Sequence, residues 1–362
     1  MGTVGFGQSA FTLSRGAVAV GGSTANEWWG PGVRNTLVLS NNAGGIPRLF
    51  LRTARPLHTS VGAFEGRAFI GGLTESPYFD SDSSNDLRSV SGILLIAHPS
   101  ADSNLTVGLS RLVVAPLGTN ASIFDHTFDV LKRWEPVRSQ QDTQGNGQLR
   151  QRTDQISSLF ARWIFPESGV EAYGEWARTE LPRSLREFAL APQSTQAYVL
   201  GMQWTTGPRP TRLRLQGEVT YLEQTAVWPD RPPMDYYTGR AAIQGLTQRG
   251  QVLGAAIGPG SSAQFLAADW LRSAWQIGAF TGRTRTENDA LYRQEGARNN
   301  RHDVTYFAGL RGGKRLASAD VSADLMAARR INYLFQSDFY LGSPVIATDV
   351  SNVTFRLRVN PR

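Results

Sequence analysis

Alternation with a period of two dominates this chain, the pattern of strands whose two faces meet different surroundings. In 212–222, Leu213, Leu215, Val219 and Tyr221 fall on one side, while Arg212, Arg214, Gln216, Glu218 and Thr220 fall on the other. Val353, Phe355, Leu357 and Val359 alternate with Thr354, Arg356 and Arg358, and 317–327 sets alanine, valine and leucine against Ser318, Asp320, Ser322 and Asp324. In 170–178, Val170, Ala172, Gly174 and Trp176 alternate with Glu171, Tyr173 and Glu175. Similar stretches run through 11–21, 36–41, 47–55, 60–73, 90–98, 104–114, 155–165, 195–206, 251–258, 262–271, 274–285 and 303–312. These are about sixteen strand candidates, many near the ~9–11 residues that a tilted membrane-crossing strand requires.

Soluble sandwiches and propellers alternate as well. No blade-length repeat is visible, which argues against a propeller. Aromatics cap the apolar faces near strand ends: Trp163, Phe165, Trp176, Tyr198, Trp204, Trp270, Trp275 and Tyr306. The polar faces carry charge in mid-strand, among them Arg212, Arg214, Glu218, Asp320, Asp324, Arg356 and Arg358. Aromatic girdles and a polar interior belong to membrane barrels. The expected fold is all-β: one large antiparallel transmembrane β-barrel of about 16–18 strands as a single domain over 1–362. Two connections exceed tight turns, about 116–154 and 226–250. In the first, Ile123, Phe124, Phe128, Val130 and Leu131 fit one side of a short helix within 121–134. In the second, Pro229, Pro232 and Pro233 rule out regular pairing.

Composition narrows the chemistry. The 362 residues carry 37 basic and 30 acidic side chains, a formal charge of +7, and all the basic residues except Lys132 and Lys314 are arginines. Cysteine is absent, so no disulfide framework, thiolate metal site or cysteine nucleophile is expected. Four dispersed histidines (His58, His98, His126, His302) form no zinc-ligand spacing, and no metal or other cofactor is expected. Mean hydropathy is −0.28 and no apolar run is long enough for a membrane helix. Met1 to Gly7 lacks the features of a secretory signal peptide.

Catalytic pairs fail on spacing. Glu171 and Glu175 share a face, yet four residues of strand separate them by ~13 Å. An inverting glycosidase pair stands ~6.5–9.5 Å apart. Asp125, His126 and Asp129 read as a solvated helix face rather than an acid–base cluster. Gly258-Pro259-Gly260 is followed by no Lys-Ser/Thr and is not a phosphate loop. No nucleic-acid-binding motif accompanies the arginines. No catalytic residue is assigned and the chain is not read as an enzyme.

The most specific segment is Asn26-Glu-Trp-Trp-Gly-Pro-Gly-Val-Arg34, followed by Ser40-Asn-Asn-Ala43 and by Gly45-Ile-Pro-Arg-Leu-Phe-Leu-Arg52. With Gly245-Leu-Thr-Gln-Arg-Gly-Gln-Val-Leu-Gly254 and Gly258-Pro259-Gly260, it resembles the capsule assembly protein family of the Wzi type, over roughly residues 16–359. The resemblance implies a bacterial outer-membrane barrel that binds and helps retain capsular polysaccharide at the cell surface without catalysing a reaction. It also implies outer-membrane lipid around the barrel and the capsule export machinery as a neighbour. Family members carry a signal peptide and a small helical region ahead of the barrel; neither is found here, and the chain is expected to begin inside the barrel sequence. The C-terminal Val359-Asn-Pro-Arg362 also lacks the family's terminal aromatic.

Tryptophan faces pack on sugar C–H surfaces, and arginine forks hold carboxylates of an acidic polysaccharide bidentately. Candidate glycan contacts are therefore Trp28, Trp29, Arg34, Asn41 and Asn42, with Trp228, Tyr236, Tyr237 and Arg240 in the second long connection. Each has a structural alternative. Gly30, Pro31 and Gly32 make a sharp turn in which indoles wedge loop against wall, Asn41-Asn42 fits a plain turn, and the second connection fits a plug for the barrel lumen. A different class of function, a porin-like channel for anions or sugars with an arginine-lined lumen, also stays open.

Overall fold

The alternating stretches become strands. In the computed structural model, residues 7–83, 85–118, 121–132, 153–180, 184–208, 210–224, 236–239, 241–293, 302–335 and 349–361 are described. In chain order the strands are β1 (Ala10–Arg15), β2 (Val18–Ser23), β3 (Arg48–Thr53), β4 (Leu57–Thr59), β5 (Gly62–Thr74), β6 (Leu87–Pro99), β7 (Leu105–Pro116), β8 (Asp154–Phe165) and β9 (Val170–Arg178). There follow β10 (Gln196–Thr206), β11 (Arg212–Tyr221), β12 (Thr247–Gln248), β13 (Gln251–Val252), β14 (Ser262–Leu271), β15 (Trp275–Thr286), β16 (Asp303–Arg315), β17 (Ala319–Ile331) and β18 (Val350–Pro361). Two short helices, α1 (Leu185–Leu190) and α2 (Asn288–Arg293), lie in connections.

Sheet order follows chain order, neighbouring strands run antiparallel, and β4 edges β5 while β12 pairs only β13. This is the all-β meander of a large outer-membrane barrel, as the alternation predicts. The residues fall into two compact units: 1–162 with 174–198 and 224–256, and 163–173 with 199–223 and 257–362. Connections alternate in length. Residues 16–17, 100–104, 166–169, 207–211, 272–274 and 316–318 make short turns, whereas 24–47, 75–86, 117–153, 179–195, 222–261, 287–302 and 332–349 are long.

The faces are inverted relative to a soluble protein. In the second unit Leu266, Trp270 and Leu310 are 62%, 51% and 58% exposed, while Glu218, Thr220 and Asp269 on the opposite face are 3%, 1% and 2% exposed. Register places Leu213 beside Trp270 and Trp270 beside Ile277, so the exposed apolar side chains form continuous rows. Lipid, not water, is the solvent such a surface suits. In the first unit Leu95, Leu109 and Leu159 continue the pattern.

The described residues depart from the sequence reading at four places. Stretch 11–21 is two strands, because Gly16 adopts φ +62° and turns the chain. Stretch 36–41 is no strand: Thr36 to Ser40 are buried, and the one isolated β-bridge among the described residues joins Trp29 to Leu39. Stretch 251–258 keeps only a two-residue strand. The helix within 121–134 is instead two 3-10 turns, Ile123–His126 and Asp129–Leu131, whose Phe124, Phe128 and Leu131 are exposed. A helical apolar stripe needs a core surface to cover, and that segment offers its stripe outward.

Candidate functional site

The motif segments that stand far apart in sequence are one packed block in the first unit. Trp29 N donates to Leu39 O at 2.9 Å, and Ser40 N donates to Leu253 O at 2.7 Å. Ser40 Oγ reaches Gly254 O at 2.6 Å, and Asn42 Nδ2 reaches Val252 O at 3.0 Å. Tyr237 Oη donates to Leu37 O at 2.8 Å and accepts from Ala255 N at 2.7 Å. Glu175 of β9 accepts from Leu37 N and from Thr36 Oγ1, both at 3.0 Å. Gly30, at φ +152°, leaves no room for a side chain between Thr36 and Glu175, which explains the glycine before Pro31.

The strands clamp this block from below. The Asp154 carboxylate accepts from Ala241 N and, at 2.7 Å, from Ala242 N. Arg88, fully buried, donates to Gly245 O at 2.8 Å and Thr74 O at 3.2 Å. Gln248 Oε1 accepts from Thr74 N at 2.7 Å. Each anchor is a buried polar group with a partner, as an ordered interior demands.

Among the candidate contacts, Trp29, Tyr236 and Tyr237 are buried. Trp29 stands edge-on to Phe69 at 5.4 Å and donates Nε1 to Glu27 at 2.6 Å; Glu27 also receives Arg48 at 2.8 Å. Trp28 and Asn42 are half-buried, and Trp28 Nε1 is held by Gly32 O at 2.9 Å. Arg34 and Asn41 are exposed. Trp228 and Arg240 lie outside the described residues. The sequence reading passed over Tyr78, 95% exposed, and Phe79, 46% exposed, in the connection 75–86. That connection is tied to the block, since Gln244 Nε2 donates to Glu75 and to Asn85 Oδ1. An aromatic pair after Pro77 in a polar turn was the available signal.

Burial pushes both tyrosine phenols well above their ordinary range; Glu175 nearby adds to this, and for Tyr237 the Ala255 amide opposes it. The two hydroxyls differ in bonding. Tyr236 Oη has no hydrogen-bond partner among the described residues, whereas Tyr237 Oη has two. Tyr237→Phe orphans Leu37 O and Ala255 N and is expected to lose about 2 kcal/mol of stability, while Tyr236→Phe is expected to change it little. Denaturant midpoints of the two variants, measured side by side, check this.

The polar face of the second unit is charge-compensated. Asp269 lies between Arg214, at 3.1 and 2.9 Å, and Arg311, at 2.6 and 2.7 Å. Asp303 accepts both forks of Arg330 at 2.7 Å, and Glu223 accepts from Arg285 Nε at 2.7 Å and Asn288 Nδ2 at 3.0 Å. Tyr173 donates to Glu218 at 2.8 Å. Arg214, Arg311 and Arg330 thus meet carboxylates of the sheet itself, and Arg285 meets one just past the end of β11. In the first unit, Asp129 is buried and bound by His126 at 2.7 Å and Lys132 at 2.5 Å, so two of the three residues read from sequence as a solvated face belong to an ion cluster, while Asp125 is exposed and caps Ser122 N. Burial opposes ionisation of Asp129, but these two partners hold its carboxyl below the usual range. No group of three His, Cys, Asp or Glu able to hold a metal occurs among the described residues.

The profile of the family described as capsule assembly protein Wzi matches residues 3–328. No curated protein matches. Among solved structures, the chain is similar to Wzi of Escherichia coli, described as an outer-membrane protein involved in group 1 capsule assembly and a carbohydrate-binding β-barrel. The TM-score is 0.63 at 11% identity, covering 96% of this chain and 68% of that one. The outer membrane channel DcaP of Acinetobacter baumannii gives 0.32 at 8% identity over 88% and 85% of the two chains. BamA from Haemophilus ducreyi lacking POTRA domains 1–3 gives 0.35 at 11% identity over 96% and 69%.

Proposed function

This chain belongs to the capsule assembly protein Wzi family, and from that premise we propose that it is an outer-membrane lectin that binds acidic capsular polysaccharide and retains it at the cell surface. The observation that carries the reading is the built block at the long-connection side. Buried anchors from β6, β8 and β9 fasten the family motifs, which carry exposed Arg34 and Asn41, and the connection tied to them carries exposed Tyr78. A rigid scaffold under a few exposed planar groups is how a repeating polymer is held without turnover. Arg34 supplies a fork for uronate-type carboxylates, and Tyr78 supplies a ring face for sugar C–H bonds. Trp28, Asn42, Trp228 and Arg240 remain candidates beside them. Lipid surrounds the apolar strand faces, and the export machinery is the proposed donor of the polymer.

The arginine-lined channel is the weaker reading. The strand arginines Arg214, Arg285, Arg311 and Arg330 are already matched to carboxylates, so they offer little excess field to an anion.

The test is binding of the detergent-purified protein to immobilised acidic capsular polysaccharide, with neutral dextran as control. Wild type is expected to bind the acidic polymer selectively. Combining Arg34→Ala with Tyr78→Ala is expected to weaken it at least ~10-fold, equivalent to about 1.4 kcal/mol. Unchanged binding in that variant, and again after Trp228→Ala with Arg240→Ala, would remove this surface from the function. Absent binding together with a large steady current in planar bilayers would favour the channel.

A further inference from the structure

The segment 121–132, in the connection after β7, does not stand away from the sheet. It folds back over the face of β6–β8 that carries the exposed leucines. On that face of β7, Arg111 follows Leu109 by two positions, and it donates Nη1 to Val130 O at 2.9 Å and to Lys132 O at 2.7 Å. Its Nη2 reaches Gln155 Oε1 of β8 at 2.8 Å. Register pairs Leu95 with Leu109, Ser91 with Val113 and Ser89 with Ala115, so all six share one face.

Burial along this face changes abruptly. Leu95, Leu109 and Leu159 are about half-exposed, whereas Ser89, Ser91, Val113, Ala115 and Gln155 are buried where the segment 121–132 crosses them. The covered stretch is the one where the outward face turns polar. An apolar band would otherwise end in bare serines against hydrocarbon.

The segment's polar groups are satisfied within it: Ser122 and Asp125 form a reciprocal cap, and Asp129 is bound by His126 and Lys132. Val130 packs inward. Its exposed side carries Phe124, Phe128 and Leu131, which are 55%, 69% and 66% exposed, beside Asp125, held in the cap with Ser122, and Lys132, paired to Asp129. Long connections of such barrels lie at the extracellular side, so this end of the band meets the outer leaflet.

We propose that residues 121–132 form a membrane-seated collar, with Phe124, Phe128 and Leu131 inserted among the acyl chains of the outer leaflet. The occupant of the patch is lipid hydrocarbon, because the patch continues the leucine band rather than interrupting it. The collar extends that band over β6–β8 and shields Ser89 and Ser91 from the chains. This inference rests on the barrel's membrane setting and is independent of polysaccharide binding.

Because the chain contains no cysteine, single probes are unambiguous. Phe124→Cys and Phe128→Cys would carry an environment-sensitive fluorophore in phosphatidylcholine vesicles, with and without bromine on the acyl chains. Leu266→Cys on the strand face and Tyr78→Cys at the exposed connection are the controls. The expected result is blue-shifted emission at Phe124→Cys and Phe128→Cys, with a loss to brominated chains comparable to that at Leu266→Cys. Tyr78→Cys is expected to lose emission to aqueous iodide instead. Iodide quenching at both collar probes, or protection from both quenchers, would overturn the proposal. Failure of Leu266→Cys to sense brominated lipid would refute the membrane setting itself.

Discussion

Replacing Asp269 with alanine is expected to cost the protein about 3 kcal/mol, because removing one partner of a buried ion pair strands the charge that remains. Two arginines are stranded here. Arg214 on the adjacent β11 and Arg311 on β16, reaching across Gly278 of β15, close on one carboxylate, and the Asp269 side chain is 3% exposed while the arginines are 33% and 23% exposed. That residual exposure of the guanidinium groups keeps the expected cost toward the lower end of the usual range. Asp269→Asn preserves shape but not charge and is expected to lose somewhat less. Adding Arg214→Leu and Arg311→Met to Asp269→Ala should restore much of the loss, since an apolar replacement removes the stranded charges. Midpoints of guanidinium unfolding for protein in lipid vesicles, followed by tryptophan fluorescence, measure all three. An unaltered midpoint for Asp269→Ala would mean that the triad is not a structural element.

Trp29→Ala is expected to cost about 3–5 kcal/mol, the usual range for emptying a buried tryptophan site. The indole is wholly enclosed, stands against Phe69, and holds Glu27 in place for Arg48. Its loss opens a cavity and loosens a buried ion pair together. Trp28→Ala, at a half-buried neighbour whose Nε1 serves Gly32 O, is expected to cost much less. The same unfolding midpoints distinguish them, measured without glycan. A small loss for Trp29→Ala would argue that the indole is there for a ligand rather than for packing.

These contrasts show what the sequence made legible. Strands were readable because lipid on one side and polar partners on the other impose a period of two along each strand, as at Leu213 to Tyr221. The long connections were readable from proline and length. The division of labour within Trp28-Trp29 was not. Adjacent positions in an irregular segment obey no period, and which indole faces inward is decided by Leu39 and Phe69, residues supplied by distant chain. Tyr237 failed for the same reason: its hydroxyl is bound by Leu37 and Ala255. The family motifs looked like a surface for sugar because tryptophan, arginine and asparagine suit that chemistry. Much of the set is instead the fastening of the block, and Tyr78, outside any motif, is the more exposed ring. Glu171 and Glu175 do lie on the polar side as alternation requires, yet Glu175 is engaged by Thr36 and Leu37.

The bonds that fasten the block join residues far apart in the chain: Glu175 and Leu37 are separated by 138 positions, Tyr237 and Leu37 by 200, and Ser40 and Gly254 by 214. The strand pairs, by contrast, join across turns as short as residues 16–17 and 316–318. Entropy of loop closure makes the first kind slow and the second fast. Assembly therefore has a built-in order of events. Hairpins are competent to form as each stretch of chain becomes available, but the motif block waits for residue 255. Until then Trp29, Leu37 and Leu39 lack the segment that covers them.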